Sequence, residues 1–236
     1  MYVYGSFYQE WSAYSTFYQG AYVSVESGAS AYFDGYLYVE DYSTLRINGD
    51  ADFYYGSSVE VRYGGELYVE SGGSLIVRNY LNVVDSGNLY VYGDMNLDGY
   101  LYAYGYSQVY VEHGGTLTIN GYATADYYST LTVYYDGKLT VSRYGGLEAY
   151  YEGAIYFDYL SRSDLFGYFR LSSDAYLYLG SDARVFVYCD VNISGRMDSG
   201  GGKMVMLRRE GRINDADGDS LFVFDQAYGH GQALVA

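Results

Sequence analysis

One phrase recurs along this sequence: an apolar residue, a variable one, a second apolar residue, then a turn rich in Gly, Asp, Ser and Tyr. Leu67-Tyr68-Val69, Leu89-Tyr90-Val91, Leu117-Thr118-Ile119 and Leu139-Thr140-Val141 are examples. Such alternation is a strand signature, with successive side chains pointing in, out and in. From Leu37 the first apolar positions fall at Leu45, Ala51, Val59, Leu67, Leu75 and Leu81. The steps are 8, 6, 8, 8, 8 and 6, so each successive group of three sums to 22. Three short strands per 22 residues predict a three-sided coil.

The period persists. On one side the first inward positions are Val23, Leu45, Leu67, Leu89, Val109, Leu131, Ile155 and Leu177, at separations of 22, 22, 22, 20, 22, 24 and 22. The second inward positions are Val25, Ile47, Val69, Val91, Val111, Val133, Phe157 and Leu179. A second side carries Leu37/Val39, Val59/Val61, Leu81/Val83 and Leu101/Ala103, and a third Leu75/Val77, Met95/Leu97, Leu117/Ile119 and Leu139/Val141. The predicted fold is all-β, a parallel β-solenoid over residues 21–195. Its uneven coil lengths, with no six-residue repeat, favour the right-handed form. Residues 1–20 hold Phe7, Trp11, Tyr14, Phe17 and Tyr18 without a clean register and are read as an N-terminal cap or assembly segment. Residues 196–236, after a break at Ser199-Gly200-Gly201-Gly202, are read as an irregular C-terminal coil or cap.

Composition agrees: 37 Tyr and 31 Gly with no Pro suit short strands and tight turns, and no ring interrupts a ladder. The formal charge of −16 argues against nucleic acid and against an anionic membrane surface. No apolar run approaches the roughly 20 residues of a spanning helix, so no membrane insertion is expected. The opening Met1-Tyr2-Val3-Tyr4-Gly5 has no basic-then-apolar leader character. A lone Cys189 among Val185, Val187, Val191 and Ile193 reads as a packed or turn thiol.

The outward positions of the first side are Ser24, Arg46, Tyr68, Tyr90, Tyr110, Thr132, Tyr156 and Tyr178, and those after them include Glu26, Glu70, Tyr92, Glu112, Tyr134 and Asp158. This face is aromatic and acidic. Tyr68, Tyr90, Tyr92, Tyr110, Tyr134, Tyr156 and Tyr178 form its candidate binding surface, read either as a stabilising ladder or as a sticky face for glycans, another surface or a neighbouring rod. Further tyrosines, among them Tyr55, Tyr63, Tyr135, Tyr144 and Tyr151, fall at corners where solenoids more often place small polar residues. Thr116, Thr118, Thr130, Thr132 and Thr140 do not align into the single array an ice-binding face requires.

Catalytic candidates are few, and no catalytic residue is assigned. His113 and His230 are the only histidines, and His113 precedes Gly114-Gly115 at a corner. Asp94 and Asp98 flank one strand as the paired-carboxylate candidate of a sugar-cleaving solenoid, and solvated turn residues are the competing reading. No cofactor is expected. The cation candidate is Asn214-Asp215-Ala216-Asp217-Gly218-Asp219-Ser220, where Asp215, Asp217 and Asp219 can converge oxygens on calcium. Its Gly stands fourth instead of sixth, and Gln226 replaces the bidentate Glu of an EF-hand loop, so a polar turn is the competing reading.

Ser71-Gly72-Gly73-Ser74-Leu75-Ile76-Val77, His113-Gly114-Gly115-Thr116-Leu117-Thr118-Ile119 and Asp136-Gly137-Lys138-Leu139-Thr140-Val141 resemble the Gly-Gly-x-Leu-x-Val repeats of autotransporter adhesin passengers over residues 20–195. That resemblance implies a right-handed β-helix at a bacterial surface, used in adhesion or aggregation. Bactofilins, which polymerise end to end, are the next nearest likeness. Together these readings anticipate a structural or adhesive, extracellular fibre module that pairs with itself. A monomeric adhesin that binds glycans is the alternative, and a polysaccharide-active enzyme a distant third.

Overall fold

The computed structural model describes residues 1–189, 191–206 and 222–224. Short strands, mostly of four residues, run in three parallel sheets with no helix among the described residues. Sheet A runs from Tyr2–Val3 to Arg196–Ser199, sheet B from Ser6–Gln9 to Phe222–Phe224, and sheet C from Tyr14–Phe17 to Val191–Ile193. The chain visits A, B and C in turn and pairs with itself one coil later. This is the three-sided parallel β-solenoid that the 22-residue period predicts.

The inward columns are those read from the sequence. In sheet A, Val23 pairs with Leu45, Leu45 with Leu67, Leu67 with Leu89, Leu89 with Val109, Val109 with Leu131, Leu131 with Ile155 and Ile155 with Leu177. These residues are buried, and with the corresponding columns of sheets B and C they make one continuous core. A one-residue slip would turn every inward side chain outward, so burial itself fixes the register.

Regularity extends beyond residues 21–195 at both ends. Residues 1–17 form a coil whose strands Tyr2–Val3, Ser6–Gln9 and Tyr14–Phe17 pair with Tyr22–Val25, Ser30–Phe33 and Tyr36–Val39. Its register is hard to read because polar residues take inward positions: Gln9 stands beside Phe33 and Ser15 beside Leu37. Gln9 is tolerated because its Nε2 donates to the Ala13 and Tyr36 carbonyls at 3.0 and 2.9 Å. At the other end Arg196–Ser199 and Lys203–Met206 continue sheets A and B.

Two corner devices let the coils stack. At several corners between sheets B and C the chain passes so near the previous coil that a glycine is required. A Cβ at Gly99 would lie 1.9 Å from the Asn79 carbonyl oxygen, one at Gly121 1.9 Å from that of Gly99, and one at Gly167 2.1 Å from that of Gly145. Between sheets C and A, successive coils turn on two residues at positive φ: Gln19-Gly20, Asp41-Tyr42, Tyr63-Gly64, Asp85-Ser86, Gly105-Tyr106, Tyr127-Tyr128 and Tyr151-Glu152. At most corners the later coil donates to the earlier, as Tyr36 N does to the Ala13 oxygen. Here the left-handed backbone turns N–H groups toward the next coil, so Gly20 N donates to the Asp41 oxygen, Tyr63 N to that of Asp85, and Ser86 N to that of Gly105. The corner thereby stays hydrogen-bonded along the axis, at a conformational cost of about 1–2 kcal/mol for each bulky residue held there.

Two outcomes follow. Gly121→Ala forces backbone against backbone and is expected to destabilise the rod by roughly 1–3 kcal/mol, read as a fall in the denaturant midpoint. Tyr151→Asn replaces an exposed tyrosine at φ 40° by a residue that tolerates the left-handed region, and is expected to stabilise by about 0.5–1 kcal/mol in the same assay.

Candidate functional site

The tyrosines divide into three axial groups, each positioned by one element of the coil. The first is the sheet A face anticipated from sequence. Its seven tyrosines, Tyr68, Tyr90, Tyr92, Tyr110, Tyr134, Tyr156 and Tyr178, are all half-buried. Tyr68 and Tyr90 stack at 4.6 Å, Tyr90 and Tyr110 at 5.2 Å, and Tyr110 continues to Tyr134 at 5.6 Å across buried Thr132. The Arg46 guanidinium closes one end, 4.2 Å over the Tyr68 ring, and is itself paired with Glu70. Tyr156 packs obliquely against Tyr178 at 6.1 Å, separate from the first run. Tyr92 has no ring partner among the described residues and lies in the field of Glu112 and Glu70. Most of these rings cover one another's faces and present edges and hydroxyls outward.

The second group was not recognised from sequence. At the start of the sheet C strands, Tyr14, Tyr36, Ser58, Tyr80, Tyr100, Tyr122, Gly146 and Tyr168 occupy one column. Its tyrosines are exposed, Tyr14 to 70%. Tyr14 and Tyr36 stack at 4.6 Å, Tyr80 and Tyr100 at 5.3 Å, and Tyr100 and Tyr122 at 5.8 Å. Each of Tyr36, Tyr100, Tyr122 and Tyr168 follows a glycine of the tight B–C corner. The recurring Gly-Tyr dipeptide was therefore the sequence signal that could have found this column.

The third group follows the C–A corners. Tyr104 stacks on Tyr127 at 5.2 Å and Tyr106 on Tyr128 at 5.1 Å, the last pair within 4° of parallel. Tyr63 and Tyr151 sit in these left-handed turns, whereas Tyr55, Tyr135 and Tyr144 lie exposed at other corners.

Glycine shapes a groove beside sheet C. At Gly146 the column loses a ring, and Tyr122 folds over the vacated position, its Cδ1 within 2.5 Å of where a Cβ would stand. Between Tyr122 and Tyr168 opens a groove of about 860 Å³ that also reaches Arg143, Tyr144 and Phe166.

The remaining candidates can be placed. Asp94 and Asp98 are four residues apart along an extended strand, about 13 Å, beyond the span at which two carboxylates share a glycosidic bond. Asp98 instead accepts from Asn120 Nδ2 at 2.9 Å and faces Arg78 at 3.7 Å. His113 is an exposed corner residue, its Nδ1 3.8 Å from Asp136. Cys189 is buried. Thr118 pairs with Thr140, whereas Thr130 and Thr132 stand on another sheet. Asp215, Asp217, Asp219, Gln226 and His230 lie outside the described residues. Among the described residues no three His, Cys, Asp or Glu cluster to hold a metal, and no helix is long and apolar enough to cross a membrane.

No family model and no curated protein matches this chain. Among solved structures, the TibC-catalysed hyper-glycosylated TibA55-350 fragment, an autotransporter adhesin passenger, matches over 96% of this chain and 97% of that one. The identity is 17% and the TM-score 0.22, too low for superposition to support a shared site. The solenoid assignment rests on this chain's own sheets.

Burial shifts the tyrosine phenols. Those of Tyr102, Tyr110, Tyr150 and Tyr176 are pushed up to about 12 from 10, with burial the largest cause in each. Asp126 and Asp198 also accept from the Tyr102 and Tyr176 hydroxyls, which favours the neutral phenol. Burial raises Tyr68 and Tyr90 too, and lifts the Glu112 carboxyl between Tyr92 and Tyr134. Above pH 10 the unfolded chain releases phenolic protons that the folded rod retains, so stability must fall as pH rises. Denaturant midpoints are expected to hold up to about pH 10 and decline between pH 10 and 12, in step with tyrosinate absorbance on unfolding.

Proposed function

We propose that this chain is a structural and adhesive module of an extracellular fibre, a rod that associates with copies of itself, end to end as the leading mode. The carrying observation is that exposed aromatic side chains run in axial columns along a repetitive scaffold, as in Tyr80, Tyr100 and Tyr122. Large exposed apolar surface of this kind marks contact with another surface. The first coil supports the end-to-end mode. Its three strands pair on one side only within this chain, and Tyr8, Trp11 and Tyr14 are exposed around it. A second copy stacked there would continue all three sheets and satisfy their open edges.

A surface adhesin that binds glycans is the second reading, and the groove beside Gly146 favours it. Sugars stack on free ring faces, which the Tyr68–Tyr90–Tyr110 ladder largely covers, whereas Tyr168 has no ring partner among the described residues. Electron microscopy across a concentration series separates the readings. Filaments with an axial repeat of one rod length are the expected result. Single short rods at every concentration, with glycan-array binding lost on Tyr168→Ala, would replace fibre assembly by glycan adhesion.

A further inference from the structure

Sheet B carries a charge pattern that neither the core nor the tyrosine columns require. Four of the chain's 13 Lys and Arg stand in one outward column on successive coils: Lys138 beside Arg162, Arg162 beside Arg184, and Arg184 beside Lys203. All four are exposed. Like charges repeated at about 4.8 Å repel one another. Yet only Arg162 has an acidic neighbour among the described residues, Asp164 at 3.9 Å. Arg46, Arg62 and Arg78, by contrast, are matched, Arg46 to Glu70, Arg62 to Glu40 and Glu60, and Arg78 to Asp52. The same column begins as Ser30, Asp50, Ser74, Asp94 and Thr116. Asp50 and Asp94 are exposed and have no ion-pair partner among the described residues. The face is thus acidic in its first half, basic in its second and uncharged at Thr116, Thr118 and Asn120 between them.

We propose that sheet B is the interface of an antiparallel dimer of this chain, with its two-fold axis running along the Thr116–Ile119 strand. Such an axis keeps each column over itself and reverses its direction. Lys138 then meets Asp94 of the second copy, Arg162 meets Ser74, Arg184 meets Asp50 and Lys203 meets Ser30. Each crossing occurs twice by symmetry. In the last outward column Phe166 crosses Arg78 and Tyr188 crosses Tyr54. In the middle column Phe186 crosses Asp52, which Arg78 already neutralises, and Ile76 meets Asp164, the least favourable crossing. A parallel arrangement, whose two-fold runs along the rod and reverses the strands, would instead set this column over the last outward one of the same coil, Lys138 against Ser142 and Asp94 against Asp98, and bring none of these charges to an opposite partner.

Nine strands of four residues give a face of roughly 40 by 13 Å, so the pair buries on the order of 1,000 Å², at the small end of specific interfaces. Exposed ion pairs contribute little each, and copies of charge −16 repel at long range. The dimer is therefore weak and strongly salt-dependent. This pairing does not rest on end-to-end stacking, which uses different strands.

Sedimentation velocity at about 0.1 M salt, where screening confines the net repulsion, is expected to show a monomer–dimer equilibrium that shifts to monomer at about 1 M. Lys138→Asp and Asp94→Lys each make two crossings repulsive, and each is expected to raise the dimer dissociation constant about tenfold or more. The double variant Asp94→Lys with Lys138→Asp restores opposite charges at both crossings and regains the dimer. Monomer under all conditions overturns the proposal. So does a dimer indifferent to the single changes, or a double variant weaker than either. Lys138→Asp that changes only retention on heparin, with the protein monomeric throughout, would make the ladder a polyanion surface and also overturn it. Micrographs of the same samples keep the assembly modes apart: filaments that persist in Lys138→Asp while paired rods vanish mean loss of this interface alone.

Discussion

Successive coils of this rod are held to one another by backbone hydrogen bonds, in the sheets and at many of the corners among the described residues. In a parallel stack this ladder is indifferent to side-chain identity: it sets a spacing of about 4.8 Å whatever the side chains are. Everything else must conform to that distance. Several B–C corners conform by losing their side chains, as at Gly99, Gly121 and Gly167, where neighbouring carbonyl oxygens leave no room for a Cβ. The C–A corners conform by left-handed turns that redirect N–H groups along the axis.

The same spacing explains the tyrosines. Two aromatic rings at equivalent positions of adjacent coils are brought to stacking distance by the backbone alone, so a column of Tyr becomes a stack with little further adjustment. Ring separations of 4.6 Å for both Tyr68–Tyr90 and Tyr14–Tyr36 lie close to the ladder repeat. A stacked column shields its own faces and leaves hydroxyl-tipped edges, an amphipathic surface suited to broad contact more than to enclosing a ligand. Where the column is broken, at Gly146, a concavity appears instead.

The inward half of the fold was legible because alternation and a 22-residue period act on residues whose burial admits little variety. Val23 through Leu177 could be read as a column because each must be apolar. The first coil escaped because Gln9 and Ser15 occupy such positions, and Gln9 does so by finding two carbonyl partners that no sequence pattern reveals. The outward half was legible only as to side. Alternation identifies Tyr90 as outward but not that Tyr68 and Tyr110 cover its faces, nor that the exposed rings lie at the entrance to sheet C. Charge patterning along sheet B needed the pairing of Lys138, Arg162, Arg184 and Lys203, residues separated by a coil in sequence and adjacent in space.

Because each coil touches only its neighbours, this rod is also a mechanical element with a definite mode of yield. Tension applied along its axis would not load many hydrogen bonds at once, as shear between long strands does, but would peel the outermost coil and then the next. A released coil of 22 residues extends to about 75 Å in place of the 4.8 Å it occupied. A fibre containing such modules would lengthen stepwise under load, absorbing work before any attachment at its end is broken.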